Sequence, residues 1–469
     1  MWHITKRELY DNLNSLRFAL AIVLLIGLML TNAVVHLHEH PKRVQAYRDG
    51  VTEYENHLVA SADESLYRLA QKGPGDLYKK PSALRFCAEG RETDLPARAI
   101  GGLIRWTTQT LESFWILTYP PVDTGLGSLR PDVTLVDWSF IIGYVLSLIA
   151  LLFTFDSISG ERERGTLRLI LANAIPRHTV LIGKFLGALI SLSIPFTLAI
   201  LMNLLVISTS SNVHLGAEAW GRLGIISFIA LLYTCLFLAL GLLVSARVQR
   251  SAVSLVILLL VWVSLVVFMP GTLAAIAGDS ASPKATHGLY ERSWQLHYAL
   301  EDQYSSRWRA ARGDSRKRME VDGAFVSEDA EQQEHSQEAR LKQQISQVNR
   351  ARAITRLSPV TIFQHLLESF AGTGFERHQQ FLENVKVYAR EYREFVVDTD
   401  KADSESLHII GVREGMSQKP VSPEAVPKFE DTLNFSKDFN TAAIDLLLLT
   451  LFFLVLLSGA YLAFVRVEV

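Results

Sequence analysis

The chain has 469 residues, 49% of them hydrophobic, and a formal net charge of −2. So small a net charge gives no global field that would select nucleic acid or an acidic partner. Its two cysteines, Cys87 and Cys235, are not expected to pair, because Cys235 lies inside an apolar run, and they leave the redox compartment open.

The hydrophobicity is segregated, and several stretches of membrane-crossing length carry almost no charge. Residues 1–17 place Trp2, Ile4, Leu9, Leu13 and Leu16 on one helical face and Lys6, Arg7, Glu8, Asp11 and Asn14 mostly on the other. This is the pattern of an amphipathic helix in the headgroup layer. Span one follows at 18–36. It is read as a retained anchor, because the run is too long for a leader and no small-x-small cleavage site follows it.

A first insertion, 37–136, opens on His36-Leu37-His38-Glu39-His40. His36 and His40 share a helical face and are the metal-ligand candidates of the chain. A polar collar at the membrane exit explains them equally well. Val44, Tyr47, Val51, Tyr54, Leu58 and Ala62 then recur at helical spacing, ended by Gly73-Pro74-Gly75. Residues 105–118 are expected to return as a helix. Span two is 137–156.

A charged cytoplasmic loop, 157–184, separates spans two and three. Gly160-Glu161-Arg162-Glu163-Arg164-Gly165-Thr166-Leu167 opens it, and Leu167, Ile170, Leu171 and Ala174 give a short apolar face. The pattern suits a short helix docking on a soluble partner, with charges fixing register. It equally suits a solvated connector whose arginines only set topology.

Span three is 185–208, with Pro195 expected to kink it and Asn203 as a polar group at an interface or path. Span four is 221–245. Span five is 251–270, with Pro270-Gly271 as its stop. A second insertion, 271–440, reads as a helical hairpin (289–311 and 328–356), a long amphipathic stretch (362–395) and a loop-rich return. Span six, 441–465, carries Asp445 near its start. That acid is either a path residue or a group stabilised at a helix N-terminus. Lys6, Arg7, Arg17, Arg247, Arg250 and Arg466 flank the short connections, so the positive-inside rule puts both termini and the 157–184 loop in the cytoplasm. The fold class is an all-α polytopic membrane protein: six transmembrane helices with two mainly helical extracytoplasmic insertions.

The run from Phe155 and Asp156 through Gly160–Leu167, followed by Leu171, Pro176-Arg177 and Gly183-Lys184, resembles the signature of ABC-2-type exporter permeases of the type V fold. The likeness covers roughly residues 1–184 in detail and the remaining spans by pattern. It implies an elbow helix at 1–17 and a coupling helix that sits on a cytoplasmic ATPase. The site residues would be Asp156, Gly160, Glu161, Arg162, Glu163, Arg164, Gly165, Thr166, Leu167 and Leu171, with the four charges at 161–164 making the contact. A second likeness, in Tyr78–Leu84 with Gly90 and in Leu357-Ser358-Pro359 with 366–373, is to a subgroup with large extracytoplasmic insertions, related to permeases of copper-enzyme maturation.

The chain has no phosphate-binding loop. Ile182-Gly183-Lys184-Phe185 lacks the first glycine and the hydroxyl residue. It is therefore read as no enzyme and as holding no cofactor of its own; ATP and magnesium would sit on two copies of a separate ATPase subunit. The other implied partners are a second permease half (the same chain or a relative), the lipid bilayer of the inner membrane and a periplasmic partner. Nucleic acid is not among them. The expected function is a membrane-spanning permease subunit of an ATP-driven exporter. The alternatives are a mechanotransmitting subunit that moves no cargo across the membrane, and a membrane receptor or adaptor.

Overall fold

The computed structural model describes the chain except for Met1 and residues 91–94, 103–115, 119–135, 173–175, 210–212, 214, 280–283, 434 and 467–469. Among the described residues, six helices are long and apolar enough to cross a membrane. The chain opens with α1 (Trp2–Leu13), which turns at Asn14-Ser15 into α2 (Leu16–Glu64). The Ser15 side chain caps α2 by accepting the Phe18 amide. The helix then runs 49 residues without a break, through Pro41. At 1.5 Å per residue this is a rod of about 74 Å, more than twice a bilayer core. Span one and the helix expected beyond it are one element. A short α3 (Leu66–Lys72) follows and ends at Gly73, whose φ of 67° suits a residue without a side chain.

Span two is α4 (Trp138–Phe140), a π-helical segment (Ile141–Leu146) and α5 (Ser147–Thr154). The loop after it holds α6 (Ser159–Glu163) and α7 (Thr166–Ala172). Spans three and four are α8 (Arg177–Ser208) and α9 (Ala217–Arg247). Helix α8 continues through Pro195. Span five is α10 (Ser251–Trp262), a second π-helical segment (Val263–Phe268) and α11 (Met269–Asp279). The expected stop at Pro270-Gly271 is therefore corrected: the helix passes through Pro270. The wider turn just before it explains why, since it offsets the missing proline N–H that would otherwise break an α ladder. Span six is α16 (Phe435–Val465).

A buried polar network fastens spans one, two and three. Asn203 Nδ2 donates to the Met29 carbonyl (2.6 Å) and to Asn32 Oδ1 (2.9 Å). Asn32 Nδ2 donates to the carbonyls of Phe86 (3.1 Å) and Val136 (2.8 Å), and Trp138 Nε1 donates to Asn203 Oδ1 (3.3 Å). Asn203 is fully buried. In an apolar interior such groups persist because their partners are complete.

Beyond the spans, the two insertions build one body. It contains the upper part of α2, α3, a hairpin of α12 (Lys284–Ala310) and α13 (Ser315–Thr355), and helix α15 (Gly374–Ala402), while α14 (Pro359–Ala371), between α13 and α15, packs into the core of the spans. Tyr54, Leu58, Ala62 and Leu69 from the first insertion share a core with Leu341, Phe381, Val385 and Tyr392 from the second. Hydrogen bonds cross between them: Tyr54 and Tyr388 hydroxyls at 2.8 Å, and Tyr392 Oη to the Leu69 carbonyl at 2.9 Å. Arg377 and Asp431 form a buried ion pair there. The amphipathic stretch expected over 362–395 is two helices, divided where Gly372 adopts a left-handed cap (φ 65°).

A small antiparallel sheet, unforeseen in the sequence, joins β1 (Gly75–Tyr78), β2 (Arg98–Gly102) and β3 (Ile116–Thr118) in that order, with Gly75 opposite Gly101 and Gly101 opposite Leu117. The helix expected at 105–118 is corrected at its end, where 116–118 is a strand; 105–115 lie outside the described residues.

Two outcomes follow. Asn203→Leu leaves Asn32 Oδ1 without its donor and Trp138 Nε1 without its acceptor and should cost about 1–2 kcal/mol. Reversible unfolding in detergent micelles checks this, and an unchanged midpoint contradicts it. His378, buried in the external body beside Lys79 and Arg377, is held at about 3, first by burial and then by those cations. An unfolded histidine titrates near 6.5. Below that pH the unfolded chain gains a proton that the folded one refuses, so stability should fall as pH drops from about 6.5 toward 3. In His378→Gln the decline measured by thermal unfolding should be shallower.

Candidate functional site

The loop between spans two and three is short, and its first part, from Asp156 to Glu163, is tied to several helices. Its turn begins at Phe155 and Asp156. Arg17, at the start of α2, holds Asp156 with two parallel bonds of 3.1 and 2.8 Å and lies over the Phe155 ring at 4.7 Å. The paired geometry is the stronger form of an arginine–carboxylate contact. Next, Ser245 of α9 accepts the amides of Ile158 and Ser159, both at 3.0 Å, and Ile158 is fully buried. Gly160 packs close to Ser251, so the start of α6 lies against α10.

The two acids of the charged block serve this attachment. Glu161 Oε1 is 2.8 Å from Lys184 Nζ, and the same ammonium is 2.6 Å from Glu8 of α1. Lys184 is 2% exposed, so its charge is compensated by these two carboxylates rather than by water. Glu163 accepts from Ser251 twice, from its amide (3.2 Å) and its hydroxyl (2.9 Å), at the first residue of α10. A carboxylate there also suits the helix dipole.

Helix α1 lies along the first turns of α8. Thr5 Oγ1 donates to the Gly183 carbonyl (3.2 Å), Glu8 pairs with Lys184, and Asn12 Nδ2 donates to Ser191 Oγ (3.2 Å). Contacts at 5, 8 and 12 against 183, 184 and 191 advance together along both helices. Any side chain at Gly187 would collide with Glu8, which is why the two can approach so closely. Ile4, Glu8, Leu9 and Asn12 are half-buried, whereas Trp2, Leu13 and Leu16 face outward, 65%, 36% and 75% exposed.

Gly165, with φ at 74°, separates α6 from α7. Thr166 Oγ1 reaches back to the Glu161 carbonyl (3.2 Å), and Leu167 is buried. Arg164, Arg168, Leu169 and Ala172 are exposed, Leu169 by 69%. Arg162 is half-buried and Leu171 lies in α7, while Ala174 is outside the described residues. The sequence reading placed the contact on all four charges at 161–164. Two of those, Glu161 and Glu163, bond to their own chain, and the outward side chains include Arg168 and Leu169; Leu169 falls between the positions of the apolar face that begins at Leu167.

The other candidate residues lie elsewhere. Asn203 belongs to the buried network described above. Asp445 lies ten residues inside α16, not at its start, and is paired with Arg356 through bonds of 2.6 and 3.2 Å. His36 and His40 stack on each other with ring centroids 4.8 Å apart, and Phe86 meets His36 edge-on at 5.2 Å. Among the described residues no three histidine, cysteine or acidic side chains gather as metal ligands would.

The arrangement is an outward patch on a loop whose attachments reach spans one, three, four and five. A model of the family described as "ABC-2 family transporter protein" matches residues 2–469. The chain is also 32% identical, over 132 residues, to the "Probable ABC transporter permease protein NosY" of Pseudomonas aeruginosa, covering 27% of this chain and 46% of that one. It is 32% identical over 143 residues to the protein of the same name from Stutzerimonas stutzeri, covering 29% and 50%. The chain thus spans about half the length of these curated relatives.

Lys184→Met leaves Glu8 and Glu161 facing each other without the ammonium. The expected loss is about 3 kcal/mol. It should be read as a lowered unfolding temperature together with faster proteolysis at the 157–184 loop. A variant as stable as the parent shows that the triad does not hold the loop.

Proposed function

Because the chain belongs to the ABC-2 family of transporter proteins, and is thus a permease-type membrane subunit, we propose that it is driven by ATP hydrolysis on a separate ATPase subunit. The observation that carries this is the exposed set Arg164, Arg168, Leu169 and Ala172 on a loop that four spans hold. Movement of a partner bound there reaches the spans directly, without a flexible intermediary. Lys6, Arg7, Arg17, Arg247, Arg250 and Arg466 gather at the same end, which favours its placement in the cytoplasm of a cell with an inner membrane, both termini included. Two ATPase copies, each binding ATP and magnesium, would serve two permease halves. The work done is export or extraction of a substrate.

A second reading has its own support. The rod of α2 passes from Arg17, beside the loop, to Tyr54 and Leu58 in the external core without interruption. Both insertions close into one body around its far part. That arrangement favours transmission of a stroke to a partner outside the membrane, with or without cargo.

Purification from the native host in mild detergent tests the first reading. A copurified ATPase is expected, and Arg168→Glu with Leu169→Asp should lower its recovery about tenfold, a loss of roughly 1.4 kcal/mol in binding. Undiminished recovery with the folded double variant places the contact elsewhere; a folded parent that brings no ATPase turns the assignment toward a receptor or adaptor. For transmission, replacing the exposed Gln45, Ala46 and Arg48 by glycine, which softens the rod without changing its length, should abolish nucleotide-dependent changes in hydrogen exchange of α15 while ATP hydrolysis continues. Persistence of those changes removes the rod from the mechanism.

A further inference from the structure

Two of the six spans contain a π-helical segment, Ile141–Leu146 in span two and Val263–Phe268 in span five. Such segments widen the helix by one residue per turn and leave a carbonyl without its usual donor. In span two the Ser147 amide bonds back to Ile142, five residues away. The Gly143 carbonyl takes the Ser147 hydroxyl (2.7 Å) and the Tyr233 hydroxyl of α9 (3.0 Å). In span five the Met269 amide bonds to Ser264. Pro270, next in line, has no hydrogen to give to Leu265. The Ser358 hydroxyl supplies one, at 3.4 Å.

Both segments meet the same element, the first turn of α14. Ser358 precedes that helix and does not cap it; its hydroxyl goes to span five instead. Val360, two residues on, lies against Gly143, where a Cβ would sit 3.2 Å from its methyl. Phe363 stacks on Tyr233 with centroids 4.3 Å apart. Trp262, immediately before the span-five segment, donates to Ser147, immediately after the span-two segment, at 2.9 Å. Ser147, Tyr233, Ser358, Val360 and Phe363 are all buried. The circuit therefore closes on itself inside the protein and runs directly into α13 and the external body.

From this geometry we propose that the first turn of α14 is a clamp on two bending points, so that spans two and five flex together and the external body moves with them. The direction of that motion rests on the transmission reading above; the clamp itself is a property of this chain. Weakened α ladders at both segments supply the bending points, and hydroxyls from α9 and α14 hold them in register. Straightening one segment withdraws the carbonyl that its partner hydroxyl bonds. Through Val360 on Gly143 and Trp262 on Ser147, a change in one is felt at the other.

The full chain in lipid nanodiscs, followed by hydrogen exchange and mass spectrometry, tests this. Ser358→Ala removes no helix cap. It should accelerate exchange at least about threefold in 263–270 and also in 141–148, with 251–259 and 185–202 unchanged. Ser358→Thr should restore the parent rates. If the alanine variant fails to fold, Tyr233→Phe takes its place with the same expectation. Unchanged exchange in both segments overturns the clamp, and a rise confined to one segment shows two independent kinks. In the complex, a non-hydrolysable ATP analogue should alter exchange in both segments together; a response in one or neither removes the coupling. If no ATPase accompanies the chain, the transmission reading fails on that result alone, and the nanodisc comparison still decides the clamp.

Discussion

One ammonium group, that of Lys184, holds the loop end of the bundle together. It is almost wholly removed from water and satisfied by carboxylates from two other segments, Glu8 and Glu161. Lone burial of such a charge is expensive, and the pair of acids makes it tolerable only in one geometry. Because α1, the 157–184 loop and α8 must all supply their part, the ion triad fixes their relative positions. The remaining attachments add to this frame: Arg17 on Asp156, Ser245 on the start of α6 and Glu163 on the start of α10. Charges that look like a surface cluster in the sequence act largely as internal fasteners.

At the opposite end, different physics gives the same result. The spans are joined by amide networks around Asn203 and Asn32, by the Arg356–Asp445 pair and by α14 wedged among spans two, four, five and six. The external body is held by an ordinary apolar core whose tyrosines find partners across the two insertions. Between the two ends, α2 runs from the loop through the amide network and on into the external body. Stiffness is thus distributed along the long axis, and compliance is concentrated where the α ladder is interrupted.

The sequence discloses the membrane fold well, since length and apolarity alone decide a span. It discloses the loop signature too, because those residues are contiguous. It conceals how the signature is used. Glu161 and Lys184 are 23 positions apart in the chain, and Lys184 meets Glu8 across span one, the first insertion and span two; no local pattern encodes such meetings. Pro270 was misleading for a local reason: a proline reads as a terminator unless the turn before it has already given up its hydrogen bond. The sheet escaped because three strands of three to five residues, two of them glycine-bearing, lack the alternation that marks a strand. The division at Gly372 was legible in principle, since a glycine after an apolar helical run is a common left-handed cap.

The uninterrupted length of α2 carries a consequence for how such a chain can diversify. On a continuous α-helix each residue gained or lost turns everything beyond it by about 100° and lifts it by about 1.5 Å. A single-residue change between Met29 and Tyr54 would swing the external body around the bundle and pull Tyr54 away from Tyr388. Length variation in this stretch is therefore restricted to near-integral turns, such as seven or eleven residues, or must be cancelled nearby. The angular phase of the rod, more than the identity of most residues along it, is what relatives with the same architecture must share.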